Sequence, residues 1–148
     1  LGEGFRFVDG SGLSRENRVS ARQTTTLLTH AYRTFEQAPE FLSMLPISAV
    51  DGTLRRRMAR EDLAGRVRAK TGSISGVDTL AGYFVAASGE PFAFAILIND
   101  SPSRPRNIAV IDRIVQELAA IAEERSARLF PQKGENYPHT LRRAAARR

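Results

Sequence analysis

The chain has 148 residues, 42% of them hydrophobic and 26% charged, and a net charge of +6; this balance belongs to a folded chain of single-domain size and excludes a disordered segment. No apolar run is long enough to span a bilayer, and the absence of cysteine excludes disulfides and thiol catalysis while fitting either redox compartment. Much of the positive excess sits in LRRAAARR, from Leu141 to Arg148; it reads as a solvated tail, and with no aromatic stacking platform beside it no nucleic-acid partner is expected.

The chain opens on Leu1 and is expected to follow something upstream, a signal peptide or a larger N-terminal portion, since no segment here reads as a targeting peptide. Apolar and polar residues alternate from Phe5 to Val8, predicting a short strand that enters a loop rich in glycine and serine. Ser20 is placed to cap a helix running to about Phe35, with Leu27, Leu28, Ala31, Tyr32 and Phe35 at helical spacing and Pro39 closing the segment. From Pro39 to Met58 two short helical turns are expected, split by Pro46 and the Asp51-Gly52 turn signal.

A different pattern begins at Arg66. Val67 to Thr71, Thr79 to Ala87 and Pro91 to Ile98 read as three strands, with Ser88, Gly89 and Glu90 turning between the last two. They form an antiparallel meander apolar enough to be buried on much of both faces. After the breaker-rich NDSPSRPRN, residues Ile108, Ile111, Ile114, Val115, Leu118, Ile121 and Ala122 recur as on an amphipathic helix ending near Arg128, and Pro131 begins a polar tail. The fold class is α+β, helices covering an antiparallel sheet; residues 1–130 form the folded part and 131–148 the basic tail. No metal-ligand cluster or cofactor motif appears, so metal and cofactor are both expected to be absent. His30 and His139 lie far apart in sequence, and His30 reads as a helix-surface residue.

Chemistry concentrates at Lys70-Thr71-Gly72-Ser73. A cation, a hydroxyl and a close backbone approach at a strand edge make a site for a carboxylate, and the N–H of Ser73 is placed to serve as half of an oxyanion hole. Alone, KTG also fits a solvent-facing strand residue followed by a glycine turn. Arg55, Arg56 and Arg57 form a like-charged run that suits a solvated face or structural ion pairs, and DGSGLSR makes a tight turn around Asp9, Gly10 and Gly12, with Ser14 or Asn17 capping it.

KTG is one of three motifs of the penicillin-binding proteins and serine β-lactamases. In order, VDGSGLSREN, GTLRRRM, RVRAKTGSISGVDTLAGY and FAILIND resemble the C-terminal half of the D-alanyl-D-alanine carboxypeptidase/endopeptidase family, the low-molecular-weight penicillin-binding proteins of the DacB type. The resemblance covers about Phe5 to Ala127. It implies the C-terminal part of a serine β-lactamase/penicillin-binding transpeptidase-like domain, acting in the periplasm or cell envelope on peptidoglycan stem peptides, with β-lactams as further ligands. By the same resemblance Lys70 and Thr71 hold the terminal carboxylate of the peptide, Ser73 supplies an oxyanion N–H, Gly72 lets the substrate strand lie close, and the loop carrying Ser11 and Arg15 lines the groove, Arg15 suiting a side-chain carboxylate.

That chemistry needs a serine activated by a lysine about one helical turn away. The two lysines, Lys70 and Lys133, follow Val67 and Phe130 at that spacing, so no S-x-x-K exists; none of Asn17, Asn99, Asn107 and Asn136 completes an S-x-N. Both motifs precede DGSGLS in the family. The nucleophile is therefore expected in a missing N-terminal half, and the 148 residues alone should not turn over. A non-catalytic peptidoglycan-binding or truncated remnant is the alternative, and a basic nucleic-acid-binding domain ranks last.

Overall fold

The computed structural model describes residues 4–60 and 62–129; the expected tail over 131–148, with Lys133 and His139, lies outside the described residues. At the centre is a three-stranded antiparallel sheet of order β1-β2-β3, with β1 at Val67–Ile74, β2 at Val77–Val85 and β3 at Pro91–Ile98. Alternation sends Leu80 and Phe84 of β2 to one face and Ala81 and Tyr83 to the other. The first face packs under α3, Arg104–Leu129, in a core joining Val67, Leu80 and Phe84 to Ile111 and Val115. The second lies under α1, Ala21–Arg33, and α2, Ala38–Ser43, where Leu28 and Leu45 meet Tyr83 and the Tyr83 hydroxyl donates to Leu28 O at 2.7 Å. Helices on both sides of an antiparallel sheet give the α+β arrangement expected from sequence.

Several boundaries move for identifiable reasons. The expected strand from Phe5 to Val8 contracts to a single bridge between Arg6 and Arg18, because past Phe7 the Val8 N–H is taken by Asn17 Oδ1 and the chain turns into the loop held by Asp9. Ser20 does cap α1, in a capping box with Gln23, but the helix stops at Arg33 and leaves Phe35 outside, 90% exposed. Leu28 and Ala31 are the buried pair of α1, while Leu27 and Tyr32 remain exposed. Pro39 opens α2 instead of closing the preceding segment, since its missing N–H costs nothing in a first helical turn. The same tolerance at Pro105 lets α3 start at Arg104, four residues before Ile108. The second short turn is a 3-10 turn at Gly52–Leu54.

The largest shift is in β1. It continues through Gly72 to Ile74, and the hairpin turns at Ser75 and Gly76. KTGS therefore lies within a paired strand, with no glycine turn after Lys70.

Along its outer side β1 is held by the segment 46–48. Ser48 N donates to Val67 O at 2.9 Å and Ala69 N to Pro46 O at 3.0 Å. Ser48 is fully buried, and its hydroxyl donates to Leu63 O at 2.6 Å while accepting from Val67 N at 3.1 Å. Ser48→Ala strands that donor and acceptor, so it is expected to cost about 1–3 kcal/mol in a urea unfolding experiment. Of the arginine run, Arg57 makes a two-pronged contact with Asp112 of α3, the shorter arm 2.6 Å, whereas Arg55 and Arg56 are exposed.

Candidate functional site

Two parities fix what the KTGS stretch presents. Val67 and Ala69 turn their backbone groups away from β2, toward residues 46–48, whereas Arg66 O accepts from Val85 N on the β2 side. In an antiparallel ladder the pattern repeats every second residue, so Thr71 and Ser73 also direct N–H and C=O outward. Beyond Ala69 the partnering segment has ended. The result is a short open edge whose donors include the Ser73 N–H.

Side chains follow the second parity. Lys70 and Gly72 share the α1 face with Arg68; Thr71 and Ser73 share the α3 face with Val67 and Ala69. Lys70 is exposed, and its ammonium donates to Thr71 O at 2.8 Å, the first acceptor of the open edge. The Thr71 hydroxyl donates to Thr53 Oγ1 at 3.1 Å, on the 3-10 turn. Gly72 is directly opposite Thr79, and a Cβ there would lie 2.5 Å from Thr79 Oγ1. Cross-strand packing alone thus favours glycine at this position.

The loop 9–17 is organised by two side chains. The Asp9 carboxylate accepts from Ser11 Oγ at 2.8 Å, Asn17 Nδ2 at 2.8 Å, Gly12 N at 3.2 Å and Ser14 N at 3.1 Å. These bonds, the one from Asn17 foremost, hold its carboxyl below the usual range. Asn17 Oδ1 in turn accepts from Val8 N at 2.8 Å. The Ser11 hydroxyl is therefore engaged with Asp9, and the expected turn is a side-chain-closed loop. Arg15 leaves this loop for the sheet, donating through Nη2 to Ser75 O at 2.7 Å. It meets the β1–β2 turn two residues past Ser73.

Three participants had been missed from sequence. Thr53 stood inside the quoted GTL segment with no role assigned. Asp78, only 6% exposed, accepts from Ser73 Oγ at 2.7 Å and from Asn107 Nδ2 at 2.9 Å. The available signal was an aspartate on the inward parity of VDTLAGYF, between positions that otherwise carry apolar or small residues. The Asp78 carboxyl is held below its ordinary value near 3.8, first by the Asn107 amide and then by Ser73, Arg104 and Arg57, against the opposing effect of burial. A lowered folded pKa contributes stability in full above the unfolded value and loses it as pH falls through the folded value. Asp78→Asn is therefore expected to flatten the pH dependence of the urea midpoint below pH 3.8; an unchanged acid slope would remove Asp78 as its source.

On the α1 face, next to Gly72's partner Thr79, an apolar groove opens among Phe5, Phe7, Val19, Leu27, Ala81 and Ile96. Phe7 and Leu27 are 58% and 50% exposed. Among the described residues there is no group of three or more His, Cys, Asp or Glu side chains that could hold a metal ion, and no helix long and apolar enough to cross a membrane.

Over most of its length the chain is similar to known proteins. A D-alanyl-D-alanine carboxypeptidase of Actinomadura sp. (strain R39) is 41% identical over 124 residues, covering 80% of this chain and 22% of that protein. The crystal structure of penicillin binding protein 4 (dacB) from Haemophilus influenzae superposes with a TM-score of 0.71 at 31% identity, covering 79% of this chain and 28% of that one. Its complex with a novel β-lactam gives the same TM-score at 32% identity, over 80% and 29%. The chain thus spans less than a third of the length of these relatives. The model of the D-Ala-D-Ala carboxypeptidase 3 (S13) family matches residues 2–120, and the chain belongs to that family.

Proposed function

We propose that this chain supplies the substrate-holding strand and groove of a serine-type D-Ala-D-Ala carboxypeptidase/endopeptidase of the periplasm or cell envelope, acting on peptidoglycan stem peptides. The observation that carries the reading is the open edge at Thr71 and Ser73 with Lys70 beside it. The Lys70 ammonium swings from Thr71 O to the terminal carboxylate of the peptide, and the Thr71 hydroxyl adds a second donor. The Ser73 N–H faces the carbonyl oxygen as charge develops on it. Gly72 leaves the backbone accessible, and Arg15 and Ser11 bound the groove from the loop 9–17, Arg15 facing a side-chain carboxylate of the stem peptide.

The nucleophile comes from sequence N-terminal to these residues. A serine there, deprotonated by its neighbouring lysine, attacks the penultimate carbonyl, expels the terminal D-alanine and leaves an ester that water hydrolyses. Support for this division is the lack of S-x-x-K and S-x-N in the chain, together with the exposed apolar groove, whose phenylalanine and leucine side chains call for a covering partner. The β-lactam complex of the Haemophilus relative supports β-lactams as ligands.

A fluorescent penicillin tests the reading. The full-length protein is expected to be labelled covalently and the 148-residue chain alone to stay unlabelled. Failure to label the full-length protein would favour the second reading, a non-catalytic peptidoglycan-binding remnant, to which the missing motifs also point.

A further inference from the structure

Ser73 stands two residues before the Ser75-Gly76 turn, at the tip of a hairpin, where strands ordinarily fray. An oxyanion donor has to be fixed before charge develops, because a displacement of an ångström is enough to lose its effect. The structure contains a clamp at this tip. Ser73 and Asp78 are direct cross-strand partners of the kind whose backbone groups point outward, which brings their side chains close. Ser73 Oγ donates to Asp78 Oδ1 at 2.7 Å, Asn107 Nδ2 donates to Asp78 Oδ2 at 2.9 Å, and Ser101 Oγ donates to Asn107 Oδ1 at 2.7 Å. Ser101 N closes the loop by donating to Gly76 O at 3.2 Å, and Arg104 Nε lies 3.7 Å from Asp78 Oδ1.

Asp78 and Asn107 are 6% and 4% exposed, and Asp78 shares its face with Leu80 and Phe84. A β-branched apolar residue would suit that strand position better on packing grounds. A buried carboxylate is weak support for stability and a strong constraint on geometry. Every bond it makes ends on the hairpin tip or on the start of α3.

We propose that Asp78 is a positioning residue for acylation: through the Ser73 hydroxyl it fixes the Ser73 N–H on the open edge, and through Asn107 it locks the hairpin tip to the start of α3. The proposal rests on the reading of Ser73 as an oxyanion donor, and its test separates the two.

In the full-length protein, acylation by a fluorescent penicillin is followed over a range of concentrations, so that noncovalent binding and the acylation rate constant are obtained separately. Absence of labelling in the unsubstituted protein overturns the site reading and this inference with it. Given labelling, Asp78→Asn and Ser73→Ala are each expected to lower the acylation rate constant about tenfold or more, with the binding constant changed less than about twofold. The double variant should be no slower than the slower single one, since both break one linkage, and Ser73→Thr, which keeps the hydroxyl, should recover much of the rate lost in Ser73→Ala. If Asp78→Asn fails to fold, Ser73→Ala carries the test, because it leaves Asp78 bonded to Asn107. A lowered melting temperature with an unchanged rate constant in Ser73→Ala, or rate losses that multiply in the double variant, would overturn the role.

Discussion

Gly82→Ala is expected to abolish the cooperative unfolding transition of this domain. A Cβ at Gly82 would lie 2.1 Å from Arg68 O and 2.5 Å from Ala69 Cα, distances no pair of non-bonded atoms sustains. Both obstacles are backbone of the neighbouring strand, and Arg68 is pinned further by its bridge to Ile47. Relief requires β1 and β2 to separate at the centre of the ladder, between the KTGS stretch and the Val67–Phe84 pair. Overpacking that a core absorbs by repacking costs about 1–3 kcal/mol; with paired backbone as the obstacle the cost here exceeds about 3 kcal/mol, a large share of a typical domain's stability of about 5–15 kcal/mol. Far-ultraviolet circular dichroism through a thermal scan is the measurement. Gly72→Ala is the control, since its Cβ meets only the Thr79 hydroxyl, which another rotamer can move aside for about 1 kcal/mol. If both variants melted like the parent, the close approach of the strands at Gly82 would be refuted.

Lys70→Ala carries the second large effect. The ammonium is exposed and its recorded partner is the carbonyl of the next residue, so folding loses little with it. In the full-length protein, by contrast, it removes the charge we propose receives a carboxylate. A hydrogen bond to a charged group is worth about 1.5–3 kcal/mol, so the second-order rate of penicillin acylation should fall about tenfold to a hundredfold, with the melting temperature nearly unchanged. Lys70→Arg should recover only part of the rate, because a planar fork replaces a compact point charge. Labelling as fast as in the parent would remove Lys70 from the site.

The parts of the fold readable from sequence were those written in local patterns. The Ser20 cap, the β3 run from Pro91 to Ile98 and the spaced isoleucines of α3 each carry their own period or capping group, and the structure places elements there. What sequence could not give was pairing. Nothing local says that β1 runs on past Gly72; that follows from its register with Thr79 and from a turn two residues later. Likewise Phe5 and Phe7 look like strand residues until the Asp9–Asn17 bonds close the loop beside them.

For the site, KTGS and DGSGLSR stood out as motifs, but what holds them did not. Thr53, Asp78 and Asn107 are separated from their partners by 18, 5 and 29 residues respectively. Their contacts exist only once the 3-10 turn, the hairpin and α3 are assembled. Arg15 illustrates the same limit, since its 60-residue reach to Ser75 O is invisible before the chain folds.

The segment 46–48 has a consequence for what the open edge can accept. It occupies the outer side of β1 as far as Ala69, and the hairpin turns just past Ile74. An added strand therefore finds, among the described residues of β1, a free outward pair of N–H and C=O only at Thr71 and Ser73, a run of about 7 Å at the usual rise per residue. That is the span of a dipeptide. A longer extended peptide would meet Pro46 at one end, so the open part of the edge has length for about two residues before the segment 46–48 stops it.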